Sequence, residues 1–261
     1  MRAIGIAIGV PFSRVPGGFT PLSLTPALWL DASDAATVFE DDSLTTLAVL
    51  GTDVVGGWTD KSGNGRHFTN TGTSRPSYVD EAPLGGKGCL YFDGVDDTLV
   101  KASDAGFPTG DFTLISVSIA SRATAYADGE FGVVFHYGSA ASGQSVIAMF
   151  GTSISTGWAD GYGISQYGDS AGTSGERGTW KSYGNRRTGT TYETLVNGGP
   201  FSSDTMTAAT TTGSSSVGIG AYAASALFLE GYIAEIILIP RAITAGELAA
   251  LQSYLVAKWG I

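Results

Sequence analysis

Alternation with a period of two dominates the apolar positions of this chain. In "FTLISVSIAS", Phe112, Leu114, Ser116, Ser118 and Ala120 share one face, and Thr113, Ile115, Val117, Ile119 and Ser121 share the other. Apolar residues on both faces predict a strand buried on both sides at its centre. Shorter runs of the same kind are "ALWLDAS", "CLYFDG", "TLVKAS", "GVVFHYG", "SVIAMFG", "TTYETLV", "SVGIGAYA", "LFLEG" and "YIAEIILI". Each is bounded by Gly, Asp, Ser or Pro turn chemistry. Asn197-Gly198 after "TTYETLV" predicts a tight hairpin, because both residues tolerate positive φ.

Only the C-terminus changes period. Pro240 ends the last strand, Thr244 and Glu247 have the spacing of a capping box, and Leu248, Leu251 and Leu255 form an apolar stripe with Tyr254 beside it. About a dozen strands followed by one helix predict an all-β fold, a two-sheet sandwich with a C-terminal α-helix.

The first 25 residues read differently. "AIGIAIGVPF" is apolar and β-compatible, but Gly5 and Gly9 deny it a side-chain-rich face, and "SRVPGGFTPLSLTP" is a Pro/Gly/Ser-rich connector. Residues 1–25 are expected to form an anchoring arm and linker, and residues 26–261 the sandwich. Ile4, Ile6, Ile8, Val10 and Phe12 would dock on another chain as an added strand, with Pro11 and Pro16 stopping the pairing.

Composition narrows the functional classes. Of 261 residues, 38 are glycine and only 15% are charged, which suits short strands and tight turns rather than a helical bundle. The net charge of −10 argues against nucleic acid, since the densest basic group is Arg186-Arg187 with Lys181 nearby. The single Cys89 excludes an intramolecular disulfide and reads as a buried thiol. His67 and His136 share no ligand spacing with it, so no zinc site is expected. Pro11 interrupts the N-terminal apolar stretch, no small-residue cleavage site follows, and no run is long enough to span a bilayer. Neither signal-peptide secretion nor membrane insertion is expected.

Four stretches carry a resemblance. "LWLDASDAATV", "VVGGWTDKSGNGRHFTNTGTSRPSYV", "GCLYFDGVDDTLV" and "LEGYIAEIILIPRAITAGELAALQSYLVAKWGI" together look like the concanavalin A-like, laminin G-type jelly-roll domains of phage structural proteins and bacterial surface proteins. The resemblance covers about Leu28 to Ile261. It implies a concanavalin A-like jelly roll in a head- or tail-associated virion protein. It also implies that calcium can be held by acidic loop residues, here Asp93, Asp96 and Asp97, although Asp-Gly-x-Asp-Asp is equally an ordinary hairpin turn.

"DKSGNG" opens like an EF-hand loop, with Asp60, Ser62 and Asn64 at alternate positions and Gly65 following. Counting from Asp60, however, puts Thr71 where that loop needs a bidentate Glu. A structural turn is expected there, with Asp60 and Asn64 capping backbone N–H groups and the glycines left-handed.

The chemistry that remains is binding. Glycosidases need two carboxylates facing across the bond, which on a strand means acidic residues at alternate positions. Asp128 and Glu130 have the spacing without a third partner, and Glu235 stands alone, expected as a satisfied carboxylate paired with Arg241. No G-x-S-x-G elbow occurs. The region "GTSISTGWADGYGISQYGDSAGTSGERG" reads as a surface loop in which Trp158, Tyr162 and Tyr167 could stack on sugars and Asp160 and Asp169 could bind hydroxyls. The same aromatics would equally serve packing or a subunit contact. The expectation is a non-enzymatic virion protein, oligomeric within its particle, that binds a host-surface glycan or decorates the particle. The alternatives are a carbohydrate-active enzyme and a bacterial surface adhesion module of the same fold.

Overall fold

The computed structural model describes residues 18–120, 132–139, 144–150, 154–160, 163–165, 179–205, 217–222 and 227–261. The arm residues Ile4, Ile6, Ile8, Val10 and Phe12 lie outside them. The first antiparallel sheet contains β1 (Leu28–Asp31), β5 (Ser77–Glu81), β6 (Lys87–Asp93), β8 (Phe112–Ala120), β13 (Lys181–Thr188), β14 (Thr191–Val196), β15 (Gly199–Thr205) and β17 (Glu230–Ile239). The second contains β2 (Val38–Phe39), β3 (Gly57–Trp58), β4 (Phe68–Thr69), β7 (Leu99–Lys101), β9 (Gly132–Ser139), β10 (Gln144–Phe150), β11 (Ile154–Asp160), β12 (Gly163–Ser165) and β16 (Val217–Ile219). Their orders are β15-β14-β13-β8-β17-β6-β5, with β1 also on β17, and β12-β11-β10-β9-β16-β7-β4-β3-β2. The helix α1 spans Ala245–Trp259. This is the two-sheet sandwich with a terminal helix that the hydrophobic pattern predicts.

Two apolar layers explain the burial. Between the sheets, Leu28, Leu30, Phe112, Leu114, Ile236 and Leu238 meet Trp58, Phe68, Phe135 and Val217. On the far face of the first sheet, Ile115, Val117, Ile237 and Ile239 pack under Leu248, Leu251, Leu255 and Trp259 of α1. Every residue of β8 is therefore buried. Each leucine of the helix stripe contributes roughly 1.5–3 kcal/mol of burial, an upper bound because the unfolded chain is not fully extended.

The caps hold as expected. Thr244 Oγ1 accepts the Glu247 N–H at 3.2 Å, Glu247 Oε2 accepts the Thr244 N–H at 2.8 Å, and Gly260 closes the helix at φ 74°. Asn197 and Gly198, at φ 48° and 75°, turn β14 into β15. Gly198 is required twice over, since a Cβ there would lie 2.7 Å from Gln252 Cβ of the helix.

Two expectations change. "LFLEG" and "YIAEIILI" do not form two strands, because Glu230–Ile239 runs through as one. Gly231 sits inside it as a close-approach position, where a Cβ would lie 2.3 Å from the Ile119 carbonyl oxygen. The region read as a surface loop from Gly151 carries β11 and β12, which extend the second sheet by main-chain pairing. Pro200 is tolerated because β15 is an edge strand. Ahead of β1, Phe19 packs on Tyr254 and Leu24 is buried beneath the same helix. No helix among the described residues is long and apolar enough to cross a membrane.

Candidate functional site

The register of β17 separates the candidates. Its first residue, Glu230, pairs with Asp93, whereas its last, Ile239, adjoins Pro240 and the entry to β1. Ten residues at strand rise put roughly 30 Å between these ends. The acidic turn occupies one end, and the Asp60 turn the other.

At the acidic end, carboxylate oxygens of Asp93, Asp96 and Asp97 all lie within 4.8 Å of one another. Asp93 Oδ1 accepts the Val95 N–H at 2.8 Å, Asp97 Oδ2 accepts the Asp93 N–H at 3.0 Å, and Ser74 Oγ donates to Asp96 Oδ2 at 2.8 Å. The hairpin thus holds itself together. Burial pushes Asp97 up to about 6, with the Asp93 and Asp96 charges adding to the shift against the bond from the Asp93 N–H. An all-oxygen donor set with excess negative charge fits a hard cation such as calcium. Asp93, Asp96 and Asp97 would hold it, and its charge would relieve the repulsion felt by Asp97.

At the other end, both oxygens of Asp60 are turned onto protein donors. Oδ1 accepts the Trp29 N–H at 3.1 Å and the Ser62 N–H at 2.8 Å, and Oδ2 accepts the Arg66 N–H at 3.0 Å and Ser62 Oγ at 2.8 Å. Gly63 and Gly65 take φ 87° and 68°. The stretch is a structural turn that ties itself to β1. Asn64 departs from expectation, because its Nδ2 donates to the Pro26 and Ala27 carbonyls at 3.1 and 3.3 Å instead of its oxygen capping an N–H.

Of the aromatic segment, Trp158 and Asp160 fall in β11, Trp158 opposite Val146 and Ser165, and Asp160 opposite Gly163. Tyr162, Tyr167 and Asp169 lie outside the described residues. The β11 end belongs to the Asp60 end of the sandwich. Gly138 pairs with Ser145, Ser145 with Ala159, and the Gly138 N–H donates to Asp104 Oδ2 at 3.0 Å, in the loop that carries Gly106.

The most elaborate polar cluster among the described residues is one that sequence reasoning missed. Glu235 is fully buried under the last turns of α1. It accepts from Trp29 Nε1 at 2.7 Å, Tyr254 Oη at 3.0 Å, Lys258 Nζ at 3.1 Å and Trp259 Nε1 at 2.5 Å. It is the satisfied carboxylate expected, but its cation is Lys258. Arg241 instead pairs with Glu247 at 2.7 Å, because the chain turns at Pro240 and leaves Arg241 at the opposite end of the helix. Lys258 also reaches Asp31 at 2.6 Å, and Asp31 takes Lys61 at 2.8 Å. Burial raises Glu235, and the nearby Lys258 ammonium opposes the shift. Burial also pushes Asp31 upward, but Lys258, Lys61 and Ser33 outweigh it and hold that carboxyl below its usual range. The spacing of Trp29, Lys258 and Trp259 carried no signal of this convergence.

Two further groups are inert in place. Cys89 is buried, and desolvation drives its thiol pKa upward. His136 is buried against Tyr222, with ring centroids 4.6 Å apart, and desolvation lowers it to about 4, so it is neutral at pH 7.

No protein-family model matches the chain, and no curated protein matches it. Solved structures match in fold. A Trypanosoma rangeli sialidase in complex with 2,3-difluoro-KDN aligns with TM-score 0.60 and 14% identity, over 97% of this chain and 36% of its own. The binding domain of Paraclostridial mosquitocidal protein 1 aligns with TM-score 0.58 and 12% identity, over 89% of this chain and 53% of its own. Domain 4 of AbnA, a GH43 extracellular arabinanase from Geobacillus stearothermophilus, in complex with arabinotriose, gives TM-score 0.51 and 14% identity, over 74% of this chain and 92% of its own. The chain thus spans about a third of the sialidase and about half of the toxin domain. At these identities the likeness is one of fold, and the chain is a two-sheet β-sandwich like those proteins.

Proposed function

We propose that this chain is a non-catalytic glycan-recognition module carried on the virion of a tailed phage or phage-like particle. Its N-terminal segment, Ile4 to Phe12, anchors it to other virion proteins, in several copies per particle, and the sandwich faces outward to bind a host-surface glycan. One observation carries the binding reading. Among the described residues, one buried pair of facing strand-borne carboxylates, Asp31 and Glu235, is sealed beneath α1 and bonded to Lys258, Lys61 and the indoles, so it holds the helix in place of a substrate, and another, Asp93 and Glu230, sits at the self-bonded acidic hairpin. Surface open to a ligand includes the end of the sandwich that carries the Asp60 turn, the Gly106 loop and the last residues of β11. The fold neighbours add support, since one is the binding domain of a toxin and another an arabinanase domain in complex with arabinotriose. The virion assignment rests on the resemblance of the "WTDKSGNGRHFT" and "PRAITAGELAALQSYLVAKWG" stretches to phage structural domains.

Incubation of the full chain with an immobilised glycan panel tests the activity. Retention on at least one glycan, without release of reducing ends, is expected. Turnover on any of them would overturn the non-catalytic reading, and retention on none would overturn glycan recognition. Mass spectrometry of purified particles tests the location, and absence of the chain from them would refute it.

A further inference from the structure

Where β17 ends, a cleft of about 340 Å³ opens between the 3-10 turn at Pro21–Leu24, the entry to β1, the Asp60 turn and the Gly106 loop. That volume lies at the lower end of the range for small-ligand sites. Leu22, Pro26 and Pro240 provide apolar wall, and Ser62, Asn64 and Arg66 provide polar wall.

The polar wall is held in place. Arg66 Nη1 donates to the Ala27 carbonyl, Nη2 donates to the Gly106 carbonyl at 2.9 Å, and the guanidinium lies 5.3 Å from the Phe107 ring centroid. Gly106, at φ 85°, is needed for that approach, since a Cβ there would lie 2.6 Å from Nη2. Two of the five guanidinium N–H groups are spent on these carbonyls, which leaves donors in reserve. Asn64 spends its Nδ2 on Pro26, Ala27 and Ser62, while its Oδ1 accepts no hydrogen bond among the described residues. Donors on one residue and a free acceptor two residues away thus share one rim.

That pairing selects a ligand class. A carboxylate or phosphate only accepts, and it would meet Asn64 Oδ1 with like polarity. A hydroxyl donates and accepts at once. We propose that this cleft is a saccharide subsite. Adjacent hydroxyls of one sugar ring take the Arg66 donors and Asn64 Oδ1, while the ring's C–H face rests on Pro26, Pro240 and Leu22. The assignment rests on the glycan-binding reading above and adds a site remote from the acidic cluster. The cleft is at the same end of the sandwich as the last residues of β11.

The test is a two-dimensional NMR titration of the full chain with glucose, galactose, mannose, N-acetylglucosamine and their short oligomers. Saturable shifts of the Asn64 side-chain amide and the Arg66 Nε–H are expected with at least one sugar. Arg66→Lys, which keeps the charge and loses the fork, should weaken binding about ten-fold. Mapping on the unaltered chain keeps the test valid if that variant folds poorly. Saturable shifts confined to β11 and β12, with Asn64 and Arg66 unmoved, would overturn the subsite and leave glycan recognition standing. Absence of any shift with every sugar, together with no retention on the glycan panel, would overturn both. Retention on the panel without shifts at the cleft would overturn the subsite alone.

Discussion

Asp31 and Glu235 are Cα partners in the β1–β17 ladder and share a single ammonium, that of Lys258, at 2.6 and 3.1 Å. Two buried carboxylates placed side by side repel each other, and the lysine from α1 supplies the positive charge that offsets this. It lets β1, β17 and the helix close on one point.

Lys258→Met should therefore cost about 3–5 kcal/mol in urea denaturation, the range for removing one partner of a buried pair. The deficit should also depend on pH. A carboxyl raised in the folded state contributes stability below its unfolded value and loses it as pH rises through the folded value, and Glu235 is of that kind. Without Lys258 the upward push on Glu235 grows, so the deficit should be larger at pH 8 than at pH 5. A deficit below about 1 kcal/mol, or one flat with pH, would refute the shared-ammonium account.

Asp97 gives a second pH signature. Its carboxyl moves from 3.8 unfolded to about 6 folded, so its contribution is complete below 3.8 and is lost as pH rises through about 6. Asp97→Asn, which keeps an oxygen for the Asp93 N–H, should stabilise the chain by about 1–2 kcal/mol at pH 7.5 and by nothing measurable at pH 3.5. Millimolar calcium should raise the melting temperature of the parent chain and not that of the variant. Equal calcium responses in the two would remove Asp97 from any cation site.

Thr244→Ala should cost about 1 kcal/mol, because it leaves the Glu247 N–H without its side-chain acceptor at the start of α1. Thermal melts monitored by near-ultraviolet circular dichroism would show it, since Trp259 lies at the far end of the same helix. An unchanged melt would mean that packing alone sets the helix start.

Chain length provides a fourth test. A chain beginning at Gly18 should melt with the full chain, whereas one beginning at Thr20 loses the Phe19 ring, 6.1 Å from that of Tyr254, and should lose about 0.5–1.5 kcal/mol. Neither should be incorporated into particles if the first segment is the anchor. Loss of cooperative folding on removing residues 1–17 would mean that the segment belongs to the sandwich, and the anchoring proposal would fail.

Local signals determined much of this fold. Alternation in 112–121, Asn197-Gly198, and the Thr244–Glu247 box with its leucine stripe each specify an element through contacts within a few residues, so they are legible in one dimension. The three aspartates around Gly94 were legible for the same reason, since one tight turn brings them together. The strands of 154–165 were not legible. Glycine and serine give them little alternation, and their pairing comes from the edge that β10 presents. Sequence alone pairs Glu235 with Arg241, six residues away, because proximity along the chain is the only distance it shows. Its actual partners are set by a sheet and a helix closing over each other, which brings Trp29 and Lys258 together across more than two hundred residues. The cleft at Arg66 is likewise a tertiary product. Its walls come from segments whose only shared property is that they end where β17 ends, and side-chain donors freed or spent by such contacts cannot be counted before the chain has folded.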